Sequence, residues 1–344
     1  MFFGIQAFWH GFFSESPTDS DYHFSIVHPS PPPIHRIIFG YSNADGWRDD
    51  PGFNSYFLRG TLPSITVEHE EDWNDRIATT RFNTRAWRFP LLLLTDRSAA
   101  HRGTLCGSRT QRTASEAWDY MRIRGKLRGL YVGGWWAPLR EAMWRFAGAD
   151  VEYHDFGTTP SLSVDLEAMK PTVDPNTVVN ISPEAQSYLP MPDRIVVTYI
   201  DRQSAHNRNF IEADHLGLIE AMQELVDRKN KERRDHLEQD LHEKILLEWE
   251  FNVMEAGKLT KDEQVRAAAR TTVCLSTFLL RTSLTSYKQI MLGLHGNGLT
   301  HLLWMQPNRL STVIEAFCPP GFAHDYYWTS RALGLAHITV WNDT

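Results

Sequence analysis

Short apolar runs alternate with stretches of helical period along most of this chain, and that alternation limits its fold more than any other feature. RIIFGY (36–41), SITVEH (64–69) and FPLLLLT (89–95) read as strands, the last buried on both faces. Residues 110–124 and 138–147 carry apolar side chains at helical spacing, and ADVEYHD (149–155) reads as a further strand. The rhythm resumes with the strand RIVVTYI (194–200) and a helix over 212–228. ILLEWEF (245–251), IMLGL (290–294), TVIEAF (312–317) and HITVW (337–341) follow as strands, with helices over about 298–306 and 323–334. The run Thr260-Lys-Asp-Glu263 is a capping box, in which Thr and Glu side chains satisfy each other's free backbone N–H groups, and it starts a helix through Arg270. Strand and helix in turn predict an α/β chain with a parallel sheet.

The 344 residues suit two domains of ordinary size. Residues 1–35 form a Ser- and Pro-rich irregular lead-in, 36–175 a first α/β domain and 176–344 a second. The stretch 157–192, with six prolines, is the connection between them. The charged run 229–244 reads as a solvated helix or an insertion.

Composition narrows the partners. A net charge of −7 disfavours binding to a nucleic-acid backbone. Three scattered cysteines imply neither a zinc site nor a disulfide framework. No stretch of apolar residues is long enough to span a membrane, and the apolar start lacks the basic leader and cleavage site of a signal peptide. The twelve tryptophans suit sugar rings but read mainly as core.

Two constellations carry chemistry. In Gly293-Leu-His295-Gly296-Asn297-Gly298-Leu299-Thr300 a glycine-rich turn joins a strand to a helix, where free N–H groups and a partial positive charge suit a phosphate. It is neither a dinucleotide fingerprint nor a P-loop. Just past the 194–200 strand, Arg202 and Arg208 stand where open α/β sheets bind ligands, and guanidinium groups suit a diphosphate. Glu315, near the end of TVIEAF, is a candidate acceptor for the two hydroxyls of a ribose. Against these stand an ordinary structural turn, a loop of surface salt bridges and a cap or ion-pair glutamate. Asp19-Ser-Asp21 has the form of a metal-binding acidic triplet, but in the lead-in it reads as chance.

The runs YIDRQSAHNRNFIEADHL, TKDEQVRAAARTT, LGLHGNGLTHLLWMQPNRLSTVIEAF and HDYYWTSRALGLAHITVWND, taken together, resemble glycosyltransferase family 61 over roughly residues 36–344. LLLTDRSAAHRGTLCGSRTQRTASEAW is similar to its fungal branch. The resemblance implies a GT-B-like fold, two Rossmann-like domains facing a cleft. It also implies inverting transfer of a sugar, GlcNAc or xylose, from a UDP-sugar to a hydroxyl of a glycan or glycoprotein. No metal is required, and the location is the secretory pathway. Carried onto this sequence, Arg202 and Arg208 match the phosphate-contacting arginines, His295 to Thr300 the pyrophosphate loop, and Glu315 the ribose contact. Asp201, Asn297 and His301 depart from the family's usual Ser, Ala and Asn.

Such a reaction needs a base for the acceptor hydroxyl and stabilisation of the departing diphosphate. The first domain is expected to supply the base: Asp49 or Asp50, with a Pro-Gly turn of solvated carboxylates as the competing reading, and His101 next in line. The alternative to an enzyme is a catalytically inactive nucleotide-sugar-binding relative, or a truncated or mis-spliced product. Residues 273–289 invite the last reading, because joining Thr272 to Ile290 restores the family's spacing. The stretch has the length of a short intron, and its Val and Gln ends are compatible with splice boundaries.

Overall fold

The computed structural model describes residues 34–82, 85–94, 136–149, 194–205, 208–238, 247–270, 288–308, 310–317 and 321–341. Five parallel strands form its main sheet: β3 (Arg194–Asp201), β4 (Glu248–Glu255), β5 (Lys288–Leu294), β6 (Thr312–Phe317) and β7 (Ala336–Trp341). Their spatial order is β4-β3-β5-β6-β7. Counted within this sheet alone, that is the doubly wound order 2-1-3-4-5, whose direction of travel reverses between β3 and β5. A crevice opens outside the carboxyl ends of the strands at such a reversal, because the connections on either side leave to opposite faces.

The centre and the edges of this sheet differ in their sequences for a physical reason. In β3 every residue from Ile195 to Ile200 is buried, as a strand covered on both faces requires. The edge strand β4 is mostly exposed, and Asn230 holds its start by pairing its side chain with both the N–H and the C=O of Trp249, each at 2.8 Å. A second, two-stranded parallel sheet joins β1 (Arg36–Ile38) to β2 (Thr66–Glu68). There Glu68 is buried and accepts from Arg36 and Arg76.

Six α-helices are described: α1 (Phe53–Thr61), α2 (Glu70–Phe82), α3 (Ala137–Ala147), α4 (Glu212–Glu238), α5 (Lys261–Arg270) and α6 (Asp325–Leu333). The capping box forms at α5: Glu263 accepts from the Thr260 N–H at 2.8 Å, and its own N–H donates to Thr260 Oγ1 at 3.3 Å. One apolar core joins Tyr56 of α1, Met143 and Trp144 of α3 and Val265 of α5 to Ile200, Met291 and Leu299 from the main sheet and its turn. Trp136 and Trp144 donate their indole N–H groups to the carbonyls of Leu303 and Trp304 at 3.0 and 2.9 Å. Elements from both sides of residue 175 contribute to this core.

Several expectations are corrected. Residues 89–94 form no strand, and Leu91, Leu92 and Leu94 are exposed rather than buried on both faces. Apolar content without alternation does not define a strand, and Pro90 removes a ladder donor. The β4 ladder runs on to Glu255, four residues past the apolar run that ends at 251. The 298–306 helix is a tighter 3-10 helix, Asn297–Trp304. The charged run is helical as one of its two readings expected, with α4 continuing to Glu238. Helices α1 and α2 were not anticipated: α2 carries acidic residues, Glu70, Glu71 and Asp72, in its first turn but no apolar stripe.

The helix over 110–124 and the strand at 149–155 lie outside the described residues, apart from Ala149. Of the stretch 273–289, Lys288 and Gln289 are described, and they take the first two ladder positions of β5, opposite Ile195 and Val196. Joining Thr272 to Ile290 would set Thr271 and Thr272 at those positions, where β-branched residues are well suited.

Candidate functional site

The loop after β3 is organised by its own side chains. Asp201 accepts from the Gln203 N–H at 2.8 Å, an Asx turn that a serine would also support more weakly, so the departure at this position preserves the turn. Gln203 in turn accepts from the Phe210 N–H at 3.0 Å and donates to its carbonyl at 3.2 Å. Arg202 and Arg208 lie on this clamped loop. Arg208 has φ 59, the left-handed region that is uncommon and mildly unfavourable for a side chain of this size.

Both guanidinium groups converge on the turn after β5. Gly296 has φ 146, and a Cβ built there would collide with the Arg202 guanidinium and lie 3.3 Å from Arg208 Nη1. A Cβ on Gly298 would sit 2.7 Å from Ile200 Cγ2, so this second glycine seats the turn against β3. Arg202 Nε is buried without a hydrogen-bond partner, and among the described residues neither arginine has a carboxylate partner. Two guanidinium groups thus lie beside Gly296 at the switch point between β3 and β5.

The same turn carries His295, whose Nδ1 lies 2.5 Å from Glu315 Oε1. Its ring stacks on Phe317 at 5.0 Å between centroids and meets Tyr326 edge-on at 5.7 Å. The other Glu315 oxygen, Oε2, is 2.8 Å from His337 Nε2. Glu315 is fully buried and His337 nearly so. Burial alone would raise the Glu315 carboxyl. The hydrogen bonds from His295 and His337 outweigh it and hold the group below the ordinary glutamate range. Both oxygens are thus engaged inside the protein, an arrangement unlike a carboxylate presenting both to a ribose.

Helix α6 closes this side of the site with two residues that the motifs did not single out. Burial raises the Asp325 carboxyl above the ordinary range, against the nearby His295, and leaves its Oδ1 without a hydrogen-bond partner. Burial also pushes the Tyr326 phenol up to about 12, and its hydroxyl sits 3.3 Å from Thr300 Oγ1. Asp325, Tyr326 and His337 all lie in the segment 324–341, where a strand–helix reading does not tell a site-lining residue from a core one.

Asn297 and Leu299 complete the turn. Leu299 is fully buried in the core below it, while Asn297 is exposed. His301 points away from the crevice: Nδ1 is 2.7 Å from the Gly298 carbonyl and Nε2 is 2.9 Å from Gln264 Oε1. Gln264 is fixed in that orientation because its NH2 donates to Ala256 and Leu259. Only a protonated ring donates to both acceptors, whereas burial lowers the imidazole's affinity for a proton, so a neutral His301 satisfies one of them.

The candidate bases take other places. Asp49 Oδ2 accepts from the Phe53 N–H at 3.0 Å and Oδ1 from the Asn54 N–H at 2.7 Å, so this carboxylate serves two of the free donors at the start of α1. Asp50 is exposed in the following turn, and His101 lies outside the described residues. The Asp49 loop is nonetheless close to the 3-10 helix that follows the glycine turn, since Phe53 meets His301 edge-on at 6.1 Å. Asp49→Ala is expected to cost about 0.5–2 kcal/mol of stability through the lost cap, measured by urea unfolding. An unchanged midpoint would contradict the capping role.

Among the described residues no group of three or more His, Cys, Asp or Glu side chains is arranged to hold a metal ion, and no helix is long and apolar enough to cross a membrane. No protein-family model matches the chain, and no curated protein and no solved structure matches it either.

Proposed function

We propose that this site binds the diphosphate of a nucleotide sugar, and that the protein is an inverting, metal-independent glycosyltransferase. In this reading the donor is a UDP-sugar carrying GlcNAc or xylose, the acceptor is a glycan or protein hydroxyl, and the work is done in the secretory pathway. The observation that carries it is the convergence of Arg202 and Arg208 on Gly296 at the switch point. Cations with no carboxylate partner among the described residues, next to the free N–H groups of a strand-to-helix turn, suit two adjacent phosphates. They can stabilise a leaving diphosphate without a divalent ion. A GT-B arrangement would face this sheet with a second Rossmann-like domain holding the acceptor and its base.

The test is a panel of nucleotide sugars in EDTA, scored by hydrolysis or transfer and by protection against heating. A ligand at about 100 times its Kd stabilises the folded chain by about 2.7 kcal/mol. UDP and one UDP-sugar are expected to protect, with release of UDP from the latter. A strict need for Mn²⁺ or Mg²⁺ would point to a different mechanism. Protection without turnover would favour a second reading, a nucleotide-sugar-binding protein, which the engagement of both Asp49 oxygens in capping supports.

A further inference from the structure

His295 has one ring nitrogen committed and one open. Its Nδ1 meets Glu315, whereas among the described residues Nε2 has no hydrogen-bond partner, and the side chain is 24% exposed. Behind it the contacts run inward and end in the core: Glu315 is 0% exposed and the His337 side chain 4%. A carboxylate so placed accepts an N–H from each histidine, and this fixes His295 in the tautomer with hydrogen on Nδ1. The Phe317 face and the Tyr326 edge pin the plane of the ring. The open nitrogen belongs to the residue next to Gly296, on which the two arginines converge.

We propose that Glu315 and His337 are positioning residues that let His295 take up a proton on Nε2 when a diphosphate binds, so that the imidazolium becomes the third cation of the site. This rests on the diphosphate reading above. In a neutral ring with hydrogen on Nδ1, Nε2 carries a lone pair that repels an anion within its reach, whereas the protonated ring donates to such an anion. The anionic Glu315 balances the added charge from behind, as an orienting carboxylate does for a catalytic histidine. His337 matters because it keeps Glu315 ionised. Without its donor the buried carboxylate has one oxygen unsatisfied and takes a proton itself.

The other groups facing the ring work in both directions. Asp325, on α6, is a second carboxyl near His295 and favours the cation to the extent that it is ionised. Arg202 and Arg208 oppose it until the anion arrives. Tyr326 stays neutral, because burial holds its phenol up at about 12.

The experiment is calorimetric titration of the full chain with UDP in two buffers of different ionisation heat, at a mildly alkaline pH where UDP itself is fully ionised. The difference between the two heats counts protons taken up per UDP. The wild type is expected to take up a large fraction of one proton. His337→Phe and Glu315→Gln are expected to take up almost none and to bind UDP roughly tenfold more weakly at that pH. His337→Gln, which keeps a donor to Glu315, is expected to restore the uptake. UDP binding without uptake in the wild type, or equal uptake in both disabling variants, would overturn the proposal. Should His337→Phe fail to fold, Glu315→Gln alone decides it. If UDP does not bind, the donor reading fails. The imidazole ¹⁵N spectrum of the ligand-free chain still tests the positioning, which requires hydrogen on Nδ1 of His295 in the wild type and a mixture of tautomers in His337→Phe. A mixture already present in the wild type would refute it.

Discussion

The chain with Arg202→Ala and Arg208→Ala together is expected to bind UDP about a hundred- to ten-thousandfold more weakly than the wild type. Each guanidinium offers charge-assisted hydrogen bonds to a phosphate, worth about 1.5–3 kcal/mol once the water is displaced. The loss should fall on binding and not on folding. Both residues sit on a loop held by Asp201 and Gln203 contacts that the substitutions leave in place, and Arg208 relinquishes a left-handed backbone conformation only if the loop itself moves. The measurement is isothermal titration with UDP, with circular dichroism and the thermal midpoint as the control for folding. Equal affinity in the double variant, with the fold intact, would remove the diphosphate from this loop.

The largest loss of stability is expected from Trp144→Ala, about 3–5 kcal/mol. The side chain is 1% exposed, in the core shared by α1, α3, α5 and the main sheet, and its indole N–H donates to the carbonyl of Trp304 at 2.9 Å. Truncation leaves a cavity that neighbouring elements cannot all move to fill, and it strips a partner from the end of the 3-10 helix that starts at the glycine turn. Trp144→Phe keeps most of the volume and loses the hydrogen bond, so it is expected to cost less. Urea unfolding of the two variants checks the order. An alanine variant as stable as the phenylalanine variant would show that the packing around Trp144 is loose.

What the sequence made legible follows from how local each signal is. The strand read at 194–200, which extends one residue further to Asp201, the strand Thr312–Phe317 and the capping box at Thr260 are all spelled out by residues adjacent in the chain. The parallel sheet follows from their alternation with helices. The strand order, and with it the switch point, is a long-range property that no local pattern encodes. The glycine turn and the two arginines were legible as residues suited to phosphate. Their convergence appears only when β3 and β5 pair in register, with Ile200 beside Gly293.

Glu315 shows where local reading ends. A carboxylate near the end of a strand is equally suited to a ribose or to two histidines, and His337, on the neighbouring strand β7, decides which neighbours it meets. Asp49 is similar. Its role as a cap depends on α1 starting at Phe53, and that helix is only nine residues long, although Phe53, Tyr56 and Phe57 stand at helical spacing. The FPLLLLT run is misleading because apolar content is not burial, and burial is settled by what packs against it.

The central claim is that a nucleoside diphosphate seats where β3 and β5 diverge, against the turn from His295 to Thr300. Amide hydrogen exchange of the full chain with and without saturating UDP, in EDTA, tests it most directly. Ligand-dependent protection is expected in the peptides covering 202–210 and 294–301, because the turn's free N–H groups would donate to the phosphates. The main-sheet core strands, which are already buried, should change little. Protection confined to other peptides, or none at a UDP concentration that stabilises the chain against heating, would contradict the placement of the site.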